Sequence, residues 1–124
     1  MITRYALIAA MVLSGGAAWA ENHESETEVD APQVAELTAE DVDMDAAGKI
    51  FQRSCRACHG NKAQGAASYP KLSDKEPQYL ADMLARYRDG ERIGPNSILM
   101  IQNAKDLSDE DIANLSVYIA TAFD

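Results

Sequence analysis

Cys55-Arg56-Ala57-Cys58-His59 is the stretch of the chain richest in reactive side chains. Two thiols three residues apart on a helix share one face, and an imidazole follows directly. Each thiol can add across one vinyl group of a porphyrin, and the adjacent imidazole can reach the iron from the same side. The C-x-x-C-H string therefore reads as an attachment site for one covalent c-type haem. Three other chemistries fit less well. A structural zinc site needs four ligands, and the only other histidine is His23, in an acidic stretch with no second cysteine pair. A thioredoxin-like redox pair calls for a βαβ surround, which the pattern lacks. A plain Cys55–Cys58 disulfide suits an oxidising compartment but leaves His59 without a role.

An iron held by one protein ligand binds small molecules, and an iron held by two carries electrons. Beyond the first twenty residues the sulfur and nitrogen donors left for the second side are Met44, Met83, Met100 and His23. Met83 falls in the apolar stripe of a helix, where packing is its default role. Met44 lies before the attachment site, and His23 would have to close a long loop. Met100 sits in a connection, non-helical or briefly helical, just before the last helix. There it is either a ligand or a core methionine beside Ile98 and Ile101. A thioether opposite an imidazole raises the reduction potential.

Positioning these groups falls to an all-α domain. Asp43 or Asp45 caps a first helix that carries Ala47, Ile50, Phe51 and Cys55 at helical spacing. Gly48 within it is either tolerated or a point of close approach. A small-residue loop follows His59 and leads to Pro70. Pro77 opens a second helix with an apolar stripe of Tyr79, Leu80, Met83, Leu84 and Tyr87, and Gly90 ends it. The stretch from Glu91 to Asp106 reads as a connection. Ser108, with Asp111 three residues on, starts the last helix as a capping-box variant. Ile112, Leu115, Tyr118, Ile119 and Ala122 give that helix its buried face. No strand pattern competes.

The chain has 124 residues and a formal net charge of −9, unevenly spread. Arg4, the apolar run from Tyr5 to Leu13 and Ala18-Trp19-Ala20 read as an export signal over residues 1–20. The run is shorter than the ~20 residues of a spanning helix, so no transmembrane span is expected once the signal is removed. Localisation in a periplasm is the consequence. From Glu21 to Asp43 there are nine acidic residues and no Lys or Arg, with few large apolar side chains. Residues 21–42 are therefore expected to form a disordered acidic leader. Residues 43–124 form the helical domain, and from Met44 onward ten basic residues face eleven acidic ones. No nucleic-acid surface is evident in that balance. A domain of about eighty residues is marginal by burial alone, and a porphyrin would complete its core.

With these residues in view, the chain resembles the class I monohaem cytochromes c of bacteria from Asp43 to Asp124. The most specific parts are the pentad at 55–59, Tyr69-Pro70-Lys71-Leu72, Tyr79-Leu80, Arg88-Asp89-Gly90 and Leu107-Ser108-Asp109-Glu110-Asp111-Ile112. The resemblance implies axial ligation by His59 and Met100, thioethers at Cys55 and Cys58, and a Pro70 carbonyl that accepts from the His59 imidazole. It also implies that the first and last helices cross, with Gly48 and Phe51 against Leu115 and Tyr118. Arg92 and Lys71 are the candidate contacts for the haem propionates. The implied role is a non-enzymatic, exported single-electron carrier that docks transiently on redox proteins at its haem edge. Two alternatives accompany it. One is the haem subunit of a periplasmic dehydrogenase, such as a flavoprotein sulphide dehydrogenase. The other is a ligand-binding haem sensor or peroxidase-like enzyme, which needs Met100 off the iron.

Overall fold

A computed structural model describes residues 29–124. The expected export signal at 1–20, His23 and the first part of the acidic leader lie outside the described residues. Five helices follow in order: α1 Met44–Ser54, α2 Arg56–His59, α3 Pro77–Arg88, α4 Ser97–Ala104 and α5 Asp109–Thr121. Among the described residues no strand forms, and a single isolated bridge joins Ala66 and Tyr69.

The helix ends follow from local chemistry. The Asp43 carboxylate accepts from the Ala46 backbone N–H at 2.8 Å and starts α1. Pro77 occupies the first turn of α3, where its missing N–H costs nothing. Gly90, at φ +83°, takes the left-handed position just past its end. At α5 the Ser108 hydroxyl accepts from the Asp111 N–H, and the Asp111 carboxylate accepts from the Ser108 N–H. The capping box is complete with Asp in place of Glu or Gln.

α5 is the central element, with α1 and α3 packed on it and α4 packed on α3. Gly48 faces Tyr118 at this crossing without being required by it: a Cβ built there would lie at ordinary contact, 3.4 Å from the ring. Phe51 then meets Tyr118 with ring centroids 5.8 Å apart and Phe123 at 5.3 Å. Phe51, Leu115 and Ile119 share one core cluster with Ala47, Ala63 and Leu80. The expected face of α5 is buried at Ile112, Leu115 and Ile119, whereas Ala122 is exposed.

Two expectations need correction. The stretch between Glu91 and Asp106 contains a full helix, α4. The disordered leader does not extend through residues 29–42. Val34 is completely buried there against Ala81, Ala85 and Ile112, with Val29, Ala31 and Leu37 packed around it. Charge density had outweighed a few apolar side chains at the sequence level. What reverses the balance is a receptive groove of alanines between α3 and α5, together with polar groups that satisfy the strap's backbone. Gln78 Oε1 accepts from the Val34 N–H at 2.8 Å, and its Nε2 donates to the Pro32 carbonyl at 3.1 Å. Arg88 donates to the Asp30 carbonyl at 3.0 Å.

Candidate haem site

The backbone after α1 breaks at Cys55 and resumes as the single turn α2, which carries Cys58 and His59. The His59 N–H bonds the Cys55 carbonyl at 3.0 Å, so the pentad is one rigid turn. Both cysteines are free thiols. Burial, with the neighbouring Cys58 second, pushes the Cys55 thiol up to about 11.

The loop after α2 is folded back on His59. Gly65, at φ +77°, donates its N–H to the His59 carbonyl at 2.7 Å. A Cβ at Gly65 would sit 2.7 Å from the Lys71 nitrogen, so only glycine permits this return. Pro70 is thereby delivered to the imidazole. His59 Nδ1 lies 2.9 Å from the Pro70 carbonyl oxygen. A carbonyl can only accept, so the proton resides on Nδ1 and the Nε2 lone pair is left for a metal. The ring is 5% exposed and meets Tyr69 edge-on at 6.4 Å between centroids.

These groups open into a cavity of about 230 Å³. Cys55, Cys58 and His59 form one part of its wall, and Tyr69, Pro70 and Leu72 of the loop another. α3 adds Tyr79, Leu80, Met83, Leu84 and Tyr87; α4 adds Leu99, Met100 and Asn103; α5 adds Leu115 and Ile119. The lining is dominated by hydrocarbon and aromatic surface. Paired thiols, an imidazole with a free Nε2 and thioether sulfurs around an apolar slot are the donor set and the walls that a covalently held porphyrin requires. Among the described residues no group of three or more His, Cys, Asp or Glu is placed to hold a bare metal ion.

Of the described methionines, Met83 and Met100 line the cavity. The Met83 sulfur is engaged by Arg86 Nη1 at 3.7 Å. Arg86 is itself paired with Glu91 at 2.6 Å, and that pairing holds the Glu91 carboxyl below its ordinary range. Met100 is set by Ser97. The buried Ser97 hydroxyl accepts from the Ile93 and Gly94 N–H groups and donates to the Gly94 carbonyl at 2.6 Å. This knot starts α4, and Met100 follows three residues later, on the same side of the helix.

Lys71 and Arg92 are both exposed and neither belongs to the cavity wall. The cation there is Lys75, whose Nζ lies 5.9 Å from the Tyr79 ring centroid. Its place just before α3 was the one available signal, since that position carries it over the same face as Tyr79.

The Cytochrome c family model matches residues 44–123. The chain belongs to the cytochrome c family. Cytochrome c-554(548) of Halomonas halodenitrificans is 44% identical over 77 residues, covering 61% of this chain and 93% of that one. Cytochrome c-554(547) of Halothiobacillus neapolitanus is 39% identical over 85 residues with the same coverage. A protein named thiosulfate dehydrogenase electron acceptor, from Thiomonas intermedia, is 43% identical over 67 residues, which cover 52% of this chain and 30% of that protein. The solved cytochrome c4 of Acidithiobacillus ferrooxidans shares the fold at a TM-score of 0.52 and 23% identity, over 68% of this chain and 54% of that one. The cofactor of this cytochrome c is covalent haem c, and Cys55 and Cys58 have the spacing that attachment needs. The match begins at residue 44, so the strap at 29–43 lies outside the family pattern.

Proposed function

We propose that this cytochrome c is an exported single-electron carrier with thioether links at Cys55 and Cys58 and axial ligands His59 and Met100. The observation that carries the reading is the convergence of these four side chains on one apolar cavity, with His59 Nδ1 already committed to Pro70. Bound there, the haem supplies one reversible ferric/ferrous couple. The chain does the rest. Pro70 holds the imidazole plane and its tautomer. Ser97 and α4 hold the Met100 thioether, while Arg86 occupies the sulfur of its rival Met83. Leu80, Leu115 and Ile119 keep water from the site. Tyr79 and Leu99 line the cavity and are also 49% and 45% exposed, which makes them the contact surface through which a partner would approach. Lys75, the cation of the cavity wall, would pair with a haem carboxylate there.

Among the described residues no helix is long and apolar enough to cross a membrane; release into a periplasm from a signal at 1–20 is part of the proposal. The named thiosulfate dehydrogenase electron acceptors support a second reading, in which the partner is a dehydrogenase that this cytochrome serves as acceptor or subunit. Co-migration with such an enzyme on size fractionation of the periplasm would decide for the subunit.

A visible spectrum of the purified protein, oxidised and reduced, with and without carbon monoxide, tests the proposal. Low-spin haem with the ferric thioether–iron band and no response to carbon monoxide is the expected result. Ready carbon monoxide binding would overturn Met100 ligation and favour a sensor or enzyme.

A further inference from the structure

Two buried clusters meet along α3. Leu80 joins the cluster that borders the haem cavity. Ala81 and Ala85 join Val34 and Ile112 in a second cluster, and none of these four lines the cavity. The buried centre of the second cluster therefore lies off the cavity wall, while Leu84 and Leu107 at its edge border both clusters and the cavity. Its polar border is fully paired. Gln78 uses its carbonyl for Val34 and both amide hydrogens, one for Pro32 and one for Asp82 at 2.9 Å. Arg88 bridges the Asp30 carbonyl, the Leu107 carbonyl and the Asp109 carboxylate, the last at 2.7 Å. At the strap's other end the Asp43 N–H donates to Asn114 on α5 at 3.1 Å. The strap is thus fastened to α3 and α5 at both ends and in the middle.

The α4 wall of the cavity is less firmly held. Of α4 only Ser97 and Ala104 are buried, and Ile98 and Leu99 are exposed. Ordering entropy then has little to oppose it there.

We propose that residues 29–43 are a clamp that keeps α3 docked on α5 in the haem-free chain, so that one wall of the haem cavity is assembled before haem arrives. The clamp works through apolar burial at Val34 and hydrogen bonding by Gln78 and Arg88, and it depends neither on the identity of the distal ligand nor on the electron-transfer role.

Amide hydrogen exchange on the wild-type full chain, produced without haem attachment and with its thiols reduced, tests this. α3 and α5 are expected to exchange at least about tenfold more slowly than α4. Gln78→Ala and, separately, Val34→Ala should each accelerate exchange of α3 by about tenfold, whereas Glu36→Gln, on the exposed side of the strap, should not. In the haem-bound protein the same two substitutions should change α3 much less, because haem then pins its other face, and the visible spectrum should stay as it was. Unprotected α3 in the haem-free wild-type chain would overturn the clamp. Equal effects of Gln78→Ala in both forms would also overturn it, since the strap would then be an ordinary stabiliser with no special role before haem.

Discussion

On the proposed ligation, the sulfur of Met100 and the proton on His59 Nδ1 decide what the iron can do. Met100→Ala should abolish the ferric thioether–iron band, admit carbon monoxide and lower the reduction potential by on the order of 0.1 V, a fraction of the ~0.8 V range axial ligands command. Met83→Leu should leave the spectrum unchanged, because the Met83 sulfur is held by Arg86. Optical redox titration of the two variants side by side checks both. Cys55 allows a pH prediction for the haem-free chain. Its thiol is raised from 9.0 to about 11 in the folded state. The fold favours the neutral thiol, so this stabilisation is complete below pH 9 and is lost as pH rises toward 11. Urea midpoints at pH 7.5 and 10.5 should fall further for the wild-type haem-free chain than for Cys55→Ser. The attachment pentad was legible because its chemistry is local in sequence, and Pro70 because the family resemblance implies its carbonyl. Lys71 and Arg92 do not line the cavity, because which cation reaches a cavity rim depends on where a loop and a helix start in space.

At the scale of elements, caps and close approaches carry definite weights. Ser108→Ala removes half of a formed capping box and should cost about 1 kcal/mol, read from thermal or urea unfolding of the haem protein. Gly48→Ala should be close to neutral, because a Cβ there meets the Tyr118 ring at 3.4 Å, ordinary contact, while the helix gains propensity. Gly48→Leu should destabilise by about 1–3 kcal/mol, since the added atoms must part α1 from α5. α1, α3 and α5 could be read from caps and 3.6-residue periodicity. α4 could not. Its apolar run Ile98-Leu99-Met100-Ile101 has no period, its Asn96 makes no capping bond, and two of its largest side chains face outward. A serine three residues past a glycine holds it instead, and that geometry has no sequence signature.

For the molecule as a whole, the domain is larger than the family pattern by one strap. Removing residues 21–41 should preserve haem ligation but lower the melting temperature by at least about 5 °C. Losing one fully buried valine and its hydrogen bonds exceeds about 1 kcal/mol, and each kcal/mol is worth roughly 4–8 °C in a domain this small. Differential scanning calorimetry of the truncated and full-length haem proteins measures it. The attachment chemistry, the all-α class, the ends of three helices and the α1–α5 crossing were determined by the sequence itself, because each rests on residues a few positions apart or on a family pattern built from them. The order in residues 29–42, the helix that carries Met100 and the choice of Lys75 at the cavity rim were decided only by tertiary structure. Nine acidic residues in a row of twenty-three describe a segment's cost in water. Whether that cost is met depends on the alanine groove and the Gln78 amide across the fold, forty-four positions from Val34.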